Sequence, residues 1–396
     1  MTQSLPQGAS ILEDGGAARV DRYLRNGMLA LWARHGWDDA RGGWHERLDP
    51  DHAPVELGYR RLTTCARQLF VFSTAAKLQL IPGAREVAQR TFRYLVERFR
   101  DREHGGWIFN VDMAGEPIDA SKDLYAHAFV LLALPEYAAL SADREAADLI
   151  GYTGAAVERF LLTEGWYAAT AGPDFSIRDR ALVQNPHMHL LEAYLAAYAI
   201  TGRDIYRDRV LHLLQVFATR LFDREAGIIR EFRDSSGEPD PQRGHIVEPG
   251  HHFEWAWLLD RAAAVAYPAM CHDGATRLFD WALAHGIDRH HEGVFDQVAP
   301  EGRVIAETKR LWPQAEYIKA RAARLRRSAD PGERSALLAA LDVMFAAYLA
   351  SGGGWRERLR RDLTCYDDQM PATSCYHILL SLLEARAALS RAPAAR

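Results

Sequence analysis

Apolar positions along the 396-residue chain follow two alternating rhythms. The longer stretches have helical spacing. Leu190, Leu191, Tyr194, Leu195 and Tyr198 fall at i, i+1, i+4, i+5 and i+8, the stripe of a helix with one buried face. Comparable stretches predict helices over 17–35, 64–80, 84–100, 121–140, 143–161, 203–220, 250–266, 273–286, 310–327, 332–350 and 374–390. With the 190–198 stripe that makes twelve helices in six pairs. Asn185-Pro186 reads as an N-cap followed by a first-turn proline, and Pro249, Pro313 and Pro371 suit the same first position. Between the pairs the period drops to two. In HGGWIFNVDMAGEPID, Trp107, Phe109 and Val111 alternate before a glycine turn, as in a hairpin. RGGWHERLDPDH and GGGWRERLRRD read alike.

The hairpin phrase repeats. Gly43-Trp44, Gly106-Trp107, Gly165-Trp166, Gly227-Ile228, Gly293-Val294 and Gly354-Trp355 lie 63, 59, 62, 66 and 61 residues apart. A fixed period means one supersecondary unit used six times. An open solenoid needs polar caps at its ends, yet the last repeat, Tyr376 to Leu383, is as apolar as the middle ones. The expectation is therefore an all-α fold: an (α/α)6 barrel of six inner and six outer helices with short β-hairpins in the loops. It would be a single domain over 1–396, with 1–16 and 388–396 as peripheral tails. Six inner-helix N-termini at one end would rim a pocket suited to an oxygen-rich ligand.

Composition narrows the function. With 48% hydrophobic residues the chain can bury a large core, and a net charge of −5 argues against nucleic acid or anionic membrane as partners. Cys65, Cys271, Cys365 and Cys375 are scattered, without a C-x-x-C pair, which fits reduced thiols better than a disulfide framework. No apolar run reads as a membrane span, and the N-terminus lacks the charged start and apolar core of an export signal. A cytoplasmic protein is expected.

Counted from the glycine of each phrase, Arg67 lies 24 residues on, His127 21, His189 24, His251 24, Gln314 21 and His377 23. Six repeats thus deliver a polar side chain to the first turns of an inner helix, which packing alone does not require. Each also has a plainer explanation: a histidine near a helix start often serves as a cap or core group, and that is the better account of His127, His187 and His252. His251 and Glu254 are spaced i, i+3, so Glu254 is expected to orient the His251 ring. His377 opens an otherwise apolar helix, where burial needs a polar partner. Arg67 precedes an apolar run, and an unpaired buried arginine points to a ligand. Tyr125, Trp255 and Trp312 could stack on a sugar or simply fill the core. A zinc site is not expected: there is no H-E-x-x-H, and four histidines spread around a ring do not meet at one centre.

Neutral imidazoles near pKa ~6.5 suit proton transfer between neighbouring carbons or oxygens. Arg67, with Arg310 as a second candidate, could steady an enediolate oxygen. Glycoside hydrolysis would instead need two carboxylates, for which Glu254 and Glu316 are the candidates, and the prominence of histidine speaks against it. A non-catalytic sugar-binding protein would have no use for paired ionisable histidines.

The motifs N-P-H-M-H-L-L-E-A-Y, E-P-G-H-H-F-E-W-A-W-L-L, T-K-R-L-W-P-Q-A-E and Y-H-I-L-L resemble the N-acylglucosamine 2-epimerase family over roughly 20–385. S-K-D-L-Y-A-H and G-H-H-F-E-W-A-W-L-L are most similar to its mannose isomerase branch. The resemblance implies an (α/α)6 barrel in which His251 and His377 are the acid/base pair and Glu254 orients the base. Arg67, Asn185 and His189 would contact the sugar, joined by Tyr125, Trp312 and Glu316. Thr373 stands where the sulfoquinovose isomerase of the family has glutamine, which counts against a sulfonated substrate. The expected reaction is mannose–fructose (or lyxose–xylulose) isomerisation through a cis-enediol, without metal or cofactor. His377 would move the C2 proton and His251 would shuttle protons between oxygens, assisting ring opening. Alternatives are a sugar 2-epimerase and an inverting glycoside hydrolase. The expected partner is a small-molecule monosaccharide, with a homodimer left open.

Overall fold

The computed structural model describes residues 15–390. Twelve helices form six pairs: α1 (15–35), α2 (Leu62–Lys77), α3 (84–99), α4 (Leu124–Ser141), α5 (Arg144–Glu158), α6 (Gln184–Thr201), α7 (204–221), α8 (Pro249–Ala262), α9 (Pro268–His285), α10 (Leu311–Ser328), α11 (331–348) and α12 (Ser374–Leu389). The even-numbered helices are buried nearly all round, as α4 is from Ala126 to Pro135. The odd-numbered ones bury a single stripe, such as Val87, Ala88, Thr91 and Phe92 of α3. A helix apolar on every side must lie inside, and an amphipathic one can cover it. The even helices therefore form an inner ring. Each packs on the next, and α12 returns to α2.

Two-residue strands lock the repeats to their neighbours at five of the six joints, and a single bridge, Val247 to Val298, does so at the other. Arg60–Arg61 pairs with Asn110–Val111, Lys122–Asp123 with Thr170–Ala171, Leu182–Val183 with Phe232–Arg233, and Lys309–Arg310 with Arg358–Leu359. Arg47–Leu48 pairs with Met370–Pro371, which joins the first repeat to the last. The same seam brings Gly27 of α1 so close to Gly353 that a Cβ at 27 would sit 2.9 Å from the Gly353 Cα. The barrel is closed.

These contacts define the true frame of the repeat. The first amide of an inner helix donates to a hairpin carbonyl of the following repeat: Leu62 to Phe109, Leu124 to Ala169, Gln184 to Glu231 and Leu311 to Glu357; across the seam Ala372, in the turn two residues before α12, donates to Glu46 in the same way. Each acceptor lies two residues beyond a buried anchor: Trp107, Tyr167, Ile229, Trp355 and Trp44. In the third and fourth repeats the anchor is thus one residue later than the Gly-Trp phrase suggested.

Several sequence expectations need correction. Asn185 and Pro186 are not cap and first residue, because α6 already begins at Gln184. Pro249 does open its helix, whereas Pro313 is the third residue of α10 and Pro371 lies in a strand. Helix α4, at 18 residues and mean hydropathy 1.3, is long and apolar enough to cross a membrane, contrary to the expectation that no such run exists. It spends that apolarity inside the ring, with 67% of its residues buried. Of the expected tails, Ala388 and Leu389 are buried in α12, and 1–14 and 391–396 lie outside the described residues.

Candidate active site

Counting from the first bonded amide separates two sets of histidines that the sequence offset had merged. Three residues on lie His127 and His187, and in α8 His252 takes the same place. Their Nε2 atoms accept the anchor N–H of Trp107, Tyr167 and Ile229 at 3.1, 3.0 and 3.1 Å. Accepting there puts the ring proton of His127 and His187 on Nδ1, where it is donated to a backbone carbonyl at 2.8 Å in each. Burial pushes the three down to about 4, 4 and 3, so they stay neutral pins for the hairpins. Gln314 shares this position and donates to the Ala340 carbonyl. His127 and Gln314 are therefore not equivalents of Arg67, His189 and His377, which lie five residues on and one layer further down the inner face.

That layer lines a cavity of about 220 Å³ at the inner-helix N-termini. Its size is small beside the ~300–1,000 Å³ of drug-sized ligand sites, and suits one sugar ring. Tyr125, Asn185, Trp312 and Thr373 (one residue on) form the rim, and Arg67, His189, Glu254 and His377 the floor. His251 and Ser374 stand between, beside Glu248, Arg310 and Glu357 from the loops. A larger, more open groove of about 520 Å³ runs along 170–179 and holds none of these groups.

Both expected acid/base histidines lie against one indole: the Trp312 ring centroid is 4.7 Å from that of His251 and 5.9 Å from that of His377. Arg67 spans the seam, donating to the Thr373 carbonyl at 3.1 Å and to the Tyr125 hydroxyl at 2.5 Å, over the Phe129 ring at 4.0 Å. Among the described residues it has no carboxylate partner. Asn185 Oδ1 and both oxygens of Glu254 are buried without a hydrogen-bond donor, open valences at the wall of the cavity. Trp255, by contrast, is fully buried away from the cavity and bonds Gln184.

The pocket imidazoles share one device. Each Nδ1 is tied to a carboxylate, which leaves Nε2 for the cavity: His251 to Glu231 at 2.9 Å, His377 to Glu316 at 2.7 Å and His189 to Glu192 at 3.2 Å. The orienting group of His251 is thus Glu231, not Glu254. Glu254 points down to Lys319, 3.6 Å away. Glu316, expected to touch sugar, is fully buried behind His377, with its other oxygen 2.6 Å from Lys319. Glu231 was legible in principle. It lies two residues past its anchor, as Glu46 and Glu357 do, but the one-residue displacement of the phrase hid the match.

Electrostatics separates the two histidines. Burial alone would depress His251, but Glu231, Glu248 and Glu254 outweigh it and raise the ring to about 9. His377 is held well below the ordinary value by burial and by the charges of Arg67 and Lys319. At neutral pH one is imidazolium and the other a free base. Three groups bring metal-type donors within 4.8 Å of one another: His189–Glu192–Glu254, Glu231–Glu248–His251 and Glu254–Glu316–His377. Lys319 already supplies positive charge to the first and third, and Arg310, 3.1 Å from Glu248, to the second.

A closed double ring of helices whose small pocket gathers two imidazoles of opposite charge preference, an arginine and open polar valences fits a barrel that acts on sugars. The chain belongs to the N-acylglucosamine 2-epimerase family, which matches residues 42–381. It is 32% identical over 392 residues to the mannose-6-phosphate isomerase of Rhizobium meliloti (95% of this chain, 98% of the relative). It is 30% identical over 306 residues to the D-mannose isomerase of Thermobifida fusca (72% and 73%). The cellobiose 2-epimerase of Bacillus thermoamylovorans superposes with a TM-score of 0.85 at 20% identity, covering 93% of this chain and 98% of that one. The protein is a sugar isomerase or epimerase of this family.

Proposed function

We propose that the chain is a metal-independent aldose–ketose isomerase acting on D-mannose, and on D-lyxose, to give D-fructose and D-xylulose. One observation carries this reading: two imidazoles of opposite charge preference face the same small cavity. In the open-chain aldose, His377 Nε2 takes the C2 proton while the His251 imidazolium protonates O1, giving a cis-enediol. His251, now neutral, takes the O2 proton, and His377 returns its proton to C1. The result is a ketose with both rings restored. Arg67 and Asn185 hold sugar oxygens beside this pair, and Glu254 accepts from a hydroxyl.

A neutral sugar is favoured over a phosphosugar despite the phosphosugar isomerase among the relatives. Arg310 is tied to Glu248 and Asp296, and Arg61 to Glu46, so among the described residues no uncommitted cation at the rim awaits a phosphate. Four unpaired thiols fit a reducing cytoplasm. Assaying ketose formation from mannose, lyxose, mannose 6-phosphate, N-acetylglucosamine and cellobiose tests the reading. Fructose from mannose is expected, with His251→Ala and His377→Ala each losing at least ~10²-fold; near-normal rates in both variants, or turnover of the phosphosugar alone, would sink it. Epimerisation is the second reading, since the same pair could return the proton to the far face of C2. Running mannose in D2O separates the two, because deuterium on C1 of fructose marks the isomerase and deuterium on C2 of glucose the epimerase.

A further inference from the structure

Four of the six hairpins place a carboxylate two residues past the anchor: Glu46, Glu231, Asp296 and Glu357. Three of them are neutralised. Glu46 meets Arg61 at 2.7 Å, Asp296 meets Arg310 at 2.9 Å, and Glu231 holds His251. Glu357 has only neutral donors, the Ser374 hydroxyl at 2.8 Å and the Trp355 indole N–H at 3.0 Å. Both bond the same oxygen, Oε2, and the neighbouring Arg358 turns to Asp367 instead. Glu357 is buried, yet it lines the sugar cavity, which leaves Oε1 as its free face. Ser374 and His377 are three residues apart on α12, hence on one side of the helix about a turn from each other. A carboxyl fixed on Ser374 therefore stands beside the atoms next to the carbon pair that His377 serves.

Building on the isomerase reading, we propose that Glu357 touches the sugar and opens its ring, carrying a proton between O1 and O5. Oε1 takes the O1 proton and delivers it to O5. The C1–O5 bond breaks, C1=O1 forms, and the carboxylate is restored. No oxidant, reductant or second acid is needed, and because O1 and O5 share C1, one oxygen atom can reach both. The other groups of the cavity that could move this proton have partners or roles of their own. His251 and His377 do the enediol chemistry, His189 is tied to Glu192, Glu248 faces Arg310 and His251, and Glu254 sits above Lys319. Burial, only partly offset by the Ser374 and Trp355 bonds, pushes the Glu357 carboxyl up to about 7, where giving and taking a proton are balanced.

Ring opening can be read apart from isomerisation as anomer exchange, the α–β interconversion of 1-13C-mannose followed by NMR exchange. The wild-type protein is expected to accelerate exchange above buffer, with a rate that climbs as pH rises through about 7. Glu357→Gln keeps the shape and both donors of the site. It should lose roughly a hundredfold in exchange and in isomerisation and lose that pH limb, while its melting temperature stays near wild type. Glu357→Asp, which retains an acid, should keep the limb at reduced rate. Wild-type exchange and an unchanged limb in Glu357→Gln, or an Asp variant no better than Gln, would overturn the proposal. So would loss of exchange on His251→Ala alone. Fructose is scored in the same tube: its absence beside Glu357-dependent exchange would count against the isomerase reading and leave this one standing.

Discussion

At the residue scale, the site turns on how two identical side chains acquire opposite protonation. Both rings are buried; three carboxylates crowd His251, whereas burial and the charges of Arg67 and Lys319 act on His377. Since His251 is raised to about 9 by its carboxylates, it is charged below that pH and loses its proton as pH rises through it. Turnover that needs the imidazolium should therefore fall above about pH 9 in kcat/KM profiles. In Glu231→Gln that limb should move down toward ~6.5, with kcat reduced by ~10²-fold or more. A limb that stays put would mean Glu231 does not set the His251 charge. Glu254→Gln should act differently. Its oxygens have no internal donor, so exchanging the carboxylate for an amide should raise KM by roughly tenfold, with a smaller change in kcat. The sequence revealed the two histidines themselves but not what holds them. An i, i+3 spacing names the neighbours available on one helix, and the carboxylate that binds His251 comes from a hairpin 20 residues earlier.

At the scale of the element, the unit is a hairpin clamped to the start of an inner helix. In three repeats a neutral imidazole closes the clamp, and in three, one of them the Ile229 hairpin again, a glutamate does so by accepting from a residue at the start of the helix: Thr64, His251 and Ser374. The His251–Glu231 pair is thus a structural clamp in which histidine replaces a hydroxyl, which places a rigidly held acid at the pocket edge. His187→Ala strands the buried Tyr167 amide and removes packing beneath it. It should cost ~1–3 kcal/mol of stability, read as a lower denaturation midpoint, with KM unchanged. A rise in KM would instead place His187 in the sugar site. The helices were legible because their stripes are long. Their first residues were not, because strand pairing across repeats, rather than capping chemistry, fixes where each inner helix begins.

For the whole molecule, closure is what makes the pocket. Arg67 from the first repeat donates to Thr373 in the last, and Gln68 to Ala372, so floor and rim meet across the seam. Trp32 stacks on Trp355 at the same junction, with centroids 5.9 Å apart. Trp32→Ala should cost ~3–5 kcal/mol, and activity should vanish along the same thermal transition as the helical circular dichroism signal. Activity surviving a separate melting of the seam would show the pocket to be independent of closure. Exhaustive chelation should leave turnover intact if Lys319 and Arg310 already serve the carboxylate clusters; loss restored by a divalent ion would reverse that.

The sequence by itself determined the twelve helices, the sixfold repeat, the closed ring and part of the cavity lining, Arg67, His189, His251 and His377 among it. All of these follow from periodicity and from the cost of burying polar groups. Only the tertiary structure decided which carboxylate serves which imidazole, which histidines pin hairpins and which face sugar, and that Glu357 alone among its repeat partners goes without a cation. Those pairings join residues from different repeats through contacts a few ångströms long, and a one-residue slip in the hairpin frame is enough to hide them from any count along the chain.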